Sequence, residues 1–188
     1  RRFDYCKSLY AVEDTLRFAV GGKKDALVLD FFSGSGTTSH AVMRLNRQDQ
    51  GRRRSILVTN NEVSVSEQAS LIDKGQQPGD AAWEALGICE YITKPRIKAA
   101  ITGRTPDGDE IRGRYQIRGA VLPDPSPISD GFEENARFFN LTYLDPETVE
   151  AKQSFGQIAH LLWLIGGAEG PVIEAEPRIG WALPERAT

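Results

Sequence analysis

The chain of 188 residues lacks a disulfide framework and a long apolar run, since it has two cysteines and no stretch of 18 apolar residues. Cys6 and Cys89 are too few for a disulfide scaffold or a zinc cluster, so we expect a reducing, cytoplasmic environment. The missing apolar run argues against a membrane-spanning helix. Charged residues also interrupt the first 20 positions, where a signal peptide would carry an apolar core.

An excess of positive charge is missing as well. Lysine and arginine number 23 against 26 aspartates and glutamates, which gives a net charge of −3. Because phosphate neutralisation supplies much of the affinity for DNA, this composition predicts weak autonomous DNA binding. Residues 94–118 are the exception, with seven basic against three acidic residues. That segment is the best candidate for a surface that faces nucleic acid.

The most informative stretch is LVLDFFSGSGTT, residues 27–38. Its first three residues are apolar and suit a parallel strand that is buried on both faces. Gly34 and Gly36 suit a tight turn where the backbone passes close to a ligand, and Thr37 opens an amphipathic helix. A strand, glycine turn and helix in this order place free backbone N–H groups at a sheet edge, where nucleotide-like ligands bind.

The residues of this turn separate classes of nucleotide ligand. A dinucleotide fingerprint requires a third glycine where Ser39 stands, and a phosphate-binding P-loop requires a lysine after the last glycine. Asp30, at the strand end, would repel a pyrophosphate but attract an ammonium group. A ligand with both an ammonium group and an adenosine is S-adenosylmethionine (AdoMet).

The segment DFFSGSGTTSHAV closely resembles the AdoMet-binding motif of DNA amino-methyltransferases, which methylate adenine N6 or cytosine N4. Residues 3–9, FDYCKSL, resemble the segment that precedes this motif in the family, with Lys7 matching and Ser8 in place of a usual proline. Over residues 1–105 the resemblance is closest to adenine-specific modification subunits of the Type III restriction kind. Residues 130–167 resemble the C-terminal extension of such bacterial proteins more loosely.

This resemblance implies an α/β fold that contains part of a Rossmann-like AdoMet-dependent methyltransferase sheet, followed by a C-terminal α+β extension. It places the AdoMet-binding part at residues 1–120 and the extension at 121–188. Asp30 would hold the methionine ammonium, the backbone of residues 33–36 would surround the methionine part, and Glu62, after the second strand, would bind the ribose. Asn60 and Asn61 could share that last role. The full set of expected AdoMet-binding residues is Lys7, Asp30, Phe32, Ser33, Gly34, Ser35, Gly36, Thr37 and Glu62.

No catalytic loop of the form [DNS]-P-P-[YFW], which accepts the target amine in this family, occurs in the sequence. The nearest string is DPSP, residues 124–127, which is more typical of a proline-rich connector. In the family branch resembled here, the catalytic loop precedes the AdoMet motif. We therefore expect the chain to be the C-terminal part of a larger enzyme that acts on DNA, and we assign no catalytic residue to it.

Other interpretations remain open at this stage. Ser33, Ser35 and Thr37 could serve turn geometry alone, and Phe32 could be a core residue beneath the turn. The chain could instead be a dinucleotide-binding Rossmann fragment. It could also be a non-catalytic assembly module that contacts a restriction subunit or a second copy of itself through the apolar residues of 136–167.

The sequence patterns also predict the order of elements. They are a helix ending at Gly21, strands at 27–30 and 55–59 with a helix between them, a mobile loop over 63–79, helices at 80–93 and 95–102, a hairpin within 103–120 turning at 105–108, a linker over 121–131, a strand over 136–144, a helix over 146–166 and a short strand at 171–174.

Overall fold

A computed structural model of the chain describes residues 6–116, 126–141, 144–150, 155–168 and 170–179. The polypeptide forms two compact units, Arg1–Phe138 and Phe139–Thr188. The expected boundary between residues 120 and 121 lies outside the described residues, as do the first two residues of the DPSP string.

The first unit is mostly helical and contains one short sheet. Its elements are α1 (Leu9–Val20), β1 (Leu27–Asp30), α2 (Thr37–Asp49), β2 (Arg54–Leu57), α3 (Val65–Asp73), α4 (Ala81–Glu84), a π-helix (Cys89–Thr93), α5 (Lys94–Thr102) and a 3₁₀ turn (Ile128–Asp130).

A β1–α2–β2 unit forms the centre of this arrangement. The two strands pair in parallel, with Leu27 opposite Arg54 and Asp30 opposite Leu57. Parallel neighbours need a crossover connection, and α2 supplies it. The predicted strand, glycine turn, helix and second strand are therefore confirmed, and this part of the chain has an α/β organisation.

The two strands are more exposed than the sequence predicts. Leu27, Leu29 and Ile56 are exposed large apolar residues, whereas the positions that alternate with them are half-buried. Side chains on a strand alternate between the two faces of its sheet. One apolar face of this sheet therefore lacks a covering layer among the described residues, and the expectation of a strand buried on both faces is wrong here.

The largest core cluster lies where α2 and α5 meet. It is formed by Met43, Ile97, Ala100, Tyr115 and Phe132. A second cluster of Val63, Leu71 and Trp83 joins α3 to α4. The first of these clusters matters for the site, because it fixes α5 against the helix that follows the glycine turn.

Two local predictions need correction in the first unit. Residues 63–79 were expected to be a mobile loop, but α3 occupies Val65–Asp73. The signal for this helix is a capping-box pattern, in which Ser64 precedes Glu67 by three positions and their side chains hydrogen-bond. The predicted helix over 80–93 is interrupted, since α4 ends at Glu84 and the π-helix begins at Cys89. The predicted helix over 95–102 matches α5, and Pro95 lies in its first turn, where proline is tolerated.

The predicted turn at residues 105–108 is confirmed, since Arg104 and Glu110 form an antiparallel bridge around it. The hairpin is short: the other isolated bridge in this region pairs Arg114 with Pro127. Residues 117–120 of the predicted hairpin lie outside the described part of the chain.

The described residues of the second unit include α6 (Pro146–Glu150) and α7 (Phe155–Ile165). Both lie within the predicted helix, of which residues 151–154 are not described. The predicted strands are wrong at 136–141 and at 171–174, where the backbone is irregular; residues 142 and 143 are not described. None of the helices in the described ranges has the length and apolar content needed to cross a bilayer.

Candidate functional site

The turn between β1 and α2, residues 31–36, is called the glycine loop below. Gly34 and Gly36 have φ of 50° and 75°, in the left-handed region that favours glycine. The Ser33 N–H donates to the carbonyl of Val58, after β2, at 3.1 Å, and the Gly36 N–H donates back to the Ser33 carbonyl at 2.9 Å. The loop is therefore held at the carboxyl ends of both strands.

Residues on and just before α5 fix the far side of the glycine loop. The Thr93 hydroxyl donates to the Gly34 carbonyl at 2.5 Å. Arg96 Nη1 donates to Ser35 Oγ at 2.6 Å and to Thr37 Oγ1 at 2.8 Å. Gly36 faces the same region, since a Cβ there would lie 3.2 Å from Thr93 Cγ2. No sequence pattern indicated a role for Thr93, and Arg96 was expected only as part of the basic segment 94–118.

Asp30 connects the strand end to the start of α2. Its Oδ1 accepts from the Phe32 N–H at 3.2 Å, and its Oδ2 accepts from Thr38 Oγ1 at 2.5 Å. Asp30 therefore caps the turn and the start of α2 through these two hydrogen bonds. A carboxylate has about four lone-pair positions, so both oxygens of this half-buried group retain capacity for a ligand cation.

The Cys6 thiol contacts the same group of side chains. Its Sγ lies 3.1 Å from Arg96 Nη1 and 3.3 Å from Ser35 Oγ. Burial raises the pKa of this thiol, but the hydrogen bond with Ser35 and the charge of Arg96 outweigh burial and leave the pKa below its usual value. The segment that precedes α1 is thereby joined to the glycine loop.

Comparison with known proteins identifies the family of the region that holds this loop. The family model described as DNA methylase matches residues 3–92. The resemblance inferred from the glycine loop is therefore confirmed, and this part of the chain is called the methylase region below.

Individual relatives extend the similarity beyond the methylase region. The Type III restriction-modification enzyme EcoPI Mod subunit of Escherichia phage P1 is 57% identical over 134 residues, which are 71% of this chain and 19% of that protein. The EcoP15I Mod subunit of Escherichia coli is 42% identical over 147 residues, or 77% of this chain and 20% of that protein. The Type II methyltransferase M.KpnI of Klebsiella pneumoniae is 59% identical over 39 residues, 21% of this chain and 9% of its own length. The chain thus spans about a fifth of the two Mod subunits.

The expected ligand residues of the methylase region fall into two groups. Ser33, Ser35, Gly36 and Thr37 are buried, and Gly34 is half-buried, all in or beside the glycine loop. The others are exposed, apart from Asp30. Phe32 is 81% exposed, so its interpretation as a core residue beneath the turn is wrong. Lys7 is exposed and lies next to Cys6 in sequence.

The residues after β2 have different surroundings. The side chain of Asn61 makes hydrogen bonds within the fold. Its Nδ2 donates to the Glu84 carbonyl at 2.8 Å, and its Oδ1 accepts from the Cys89 N–H at 3.1 Å. Glu62 is exposed, and its carboxylate has no hydrogen-bond partner within the described ranges. Of these two residues, Glu62 therefore has the free side chain.

Three basic residues of segment 94–118 make contacts within the described part of the chain. Lys94 forms an ion pair with Glu90, and Arg96 contacts the glycine loop. Arg104 pairs with Glu110 at 3.5 Å. The two ion pairs reduce the positive charge that the segment presents, compared with what its composition indicates.

His40, one turn into α2, is a half-buried neutral histidine. Its Nε2 lies 2.8 Å from the Tyr115 hydroxyl, and its ring packs edge-on against Tyr115 and Phe132. Burial, together with the charges of Arg96, Arg44 and Arg47, lowers its pKa from 6.5 to about 3. His40 therefore packs against the core cluster, and we assign it no catalytic role.

This depressed pKa predicts a pH-dependent stability. The unfolded state binds a proton on His40 near pH 6.5 and the folded state only near pH 3, so stability falls as the pH decreases through that window. Relative to His40→Gln, the free energy of unfolding of the unmodified chain should drop by roughly 2 kcal/mol between pH 7 and pH 5. Urea unfolding at several pH values measures the free energy of unfolding of both proteins. The same dependence on pH in the unmodified chain and in His40→Gln would contradict the prediction.

Proposed function

We propose that this chain is the AdoMet-binding portion of a restriction-modification DNA methyltransferase that acts on adenine N6. The observation that carries the proposal is the glycine loop, at the carboxyl ends of two parallel strands, with Asp30 at its start and Arg96 against its end. Ligands of α/β sheets bind at this edge. The family match and the two Mod relatives support the DNA methyltransferase class.

Side chains in and around the glycine loop fit AdoMet as a cofactor. Asp30 can accept the ligand ammonium, and the exposed carboxylate of Glu62 can accept hydrogen bonds from ribose hydroxyls. Ser33 Oγ is buried and has no partner within the described residues, and a buried hydroxyl is costly unless a ligand or water satisfies it. When bound, AdoMet supplies an electrophilic methyl group, and this chain holds and orients that cofactor.

The target base is recognised by other parts of the proposed parent enzyme. The sequence has no [DNS]-P-P-[YFW] loop to accept the exocyclic amine. We therefore assign DNA, and a restriction subunit, as partners of the parent protein, in line with the names of the Type III relatives. A homodimer remains a further proposal for the parent, for which α7 offers exposed Leu161, Leu162 and Ile165.

A dinucleotide is the less suitable ligand for this loop. The third glycine of the dinucleotide fingerprint is replaced by Ser39, and Asp30 places a negative charge at the strand end. Arg96 would favour a phosphate, but the carboxylate of Asp30 lies at the same helix start and would oppose it.

The test is a calorimetric titration of the chain with AdoMet and, separately, with NADH. Asp30→Asn keeps the shape of the side chain and removes its charge, so we expect it to weaken AdoMet binding by roughly 10-fold or more, the effect of losing one charge-assisted contact. Asp25→Asn is the matched control, because Asp25 is an exposed acid just before β1. Binding of NADH in preference to AdoMet, or equal affinity of the two variants, would contradict the proposal.

A further inference from the structure

Arg96 is a half-buried cation without an acidic partner in the described part of the chain. All its hydrogen bonds there involve Nη1, which lies within hydrogen-bond distance of the side chains of Ser35, Thr37 and Cys6 and, at 3.4 Å, of the Ser35 carbonyl. A guanidinium has five N–H donors in a planar fork. The donors on Nε and Nη2 therefore have no acceptor among the described residues, and they remain available for an anion.

The surroundings of Arg96 favour an anion further. Thr37 begins α2, a helix of 13 residues with no acidic residue in its first turn, and a helix start carries partial positive charge. Ser33, in the same loop, is 7% exposed and its hydroxyl has no partner within the described residues. The site thus contains a free guanidinium edge and an unsatisfied buried hydroxyl, in addition to the backbone of the helix start.

A negative group lies close to this positive one. Thr37 Oγ1 contacts Arg96, and the next residue, Thr38, donates from its hydroxyl to Asp30. The acidic side chain of Asp30 and the basic side chain of Arg96 therefore hydrogen-bond to consecutive residues in the first turn of α2. An α-amino acid carries an ammonium and a carboxylate on the same carbon, so this pair of charges suits the zwitterionic end of an adenosyl amino acid better than a simple nucleoside.

We propose that Arg96 binds the carboxylate of the amino-acid part of the ligand and makes the site select adenosyl compounds that retain this part. Ser35 and Thr37 hold Nη1 and so orient the free edge of the guanidinium, which can engage a carboxylate through two N–H groups. This inference rests on the proposed function. It adds a binding residue from α5 to those expected from the glycine motif.

The test compares two ligands that differ in the amino-acid part. S-adenosylhomocysteine has it, and 5′-methylthioadenosine has the adenosine and thioether without it. We expect Arg96→Gln to weaken the binding of S-adenosylhomocysteine by roughly 10- to 100-fold, as for the loss of a charged bidentate contact. The same variant should change the binding of methylthioadenosine by less than about 3-fold. Arg96→Lys, which keeps the charge but not the fork, should give an intermediate loss. Lys98→Gln removes an exposed charge from the same helix and should affect neither ligand.

The titrations are followed by NMR, and thermal unfolding confirms that each variant is folded. Equal losses for both ligands in Arg96→Gln and Arg96→Lys would mean that the arginine only supports the loop, and would overturn this inference alone. Unchanged binding in both variants would do the same. If the unmodified chain bound neither ligand nor AdoMet, the proposed function would fail together with the inference.

Discussion

Replacing Glu13 with alanine should lower the free energy of unfolding by about 3–5 kcal/mol, the usual cost of leaving one buried charge unpaired. Glu13 is 4% exposed and is the buried residue of α1, and Arg44, on α2, is 6% exposed. The two form an ion pair, and Glu13 Oε1 also accepts from Gln48 and Arg17 at 2.7 Å each. Arg44 lies over the rings of Tyr10 and Tyr115 and could not reach water without disrupting that packing.

Urea unfolding of Glu13→Ala and two further variants would distinguish the effect of leaving a buried charge unpaired from the effect of losing side-chain volume. Asp14→Ala, at an exposed neighbouring acid on α1, is the matched control and should change stability by less than about 0.5 kcal/mol. Glu13→Leu combined with Arg44→Met should recover much of the loss, because two apolar residues remove both buried charges. If Glu13→Ala behaved like the Asp14 control, the ion pair would not be holding α1 against α2.

The second large effect is expected at the end of α5. Gly103 has φ of 68°, and a Cβ added there would lie 2.1 Å from the Ser129 carbonyl oxygen and 2.5 Å from its carbon. The obstacle is backbone, which cannot rotate away as a side chain can. Gly103→Ala should therefore lower the free energy of unfolding by about 3 kcal/mol, from left-handed strain together with the displaced Ser129–Gly131 turn.

Gly108→Ala is the control for this prediction. Gly108 also has a positive φ, 91°, but nothing lies within 4 Å of its added Cβ. That variant should show the conformational strain alone, about 1–2 kcal/mol. Thermal or urea unfolding of both variants measures the difference, and losses of equal size would mean that the contact with Ser129 does not constrain α5. Since α5 carries Arg96, the result also bears on how rigidly the glycine loop is held.

Several local features were predictable because short-range patterns encode them. The strand at 27–30 and the helix from Thr37 follow from an apolar run, two glycines and an amphipathic period, all within one stretch of chain. The turn at 105–108 follows from its proline and glycine. The strand predicted at 136–144 was wrong over its described residues. β-Propensity expresses how a segment packs in a sheet, and residues 136–141 pair with no strand in the part of the chain that the structure describes.

The sequence by itself determined the β1–α2–β2 unit, the family of the methylase region and the residues of the glycine loop. Only the tertiary structure decided what surrounds that loop. Arg96 reaches Ser35 across 61 positions of sequence, Asn61 turns inward to the π-helix, and Phe32 remains exposed. Such contacts depend on how α5 packs against α2 through Met43 and Ile97, and periodicity within a single segment carries no information about which distant side chain that packing will place beside the loop.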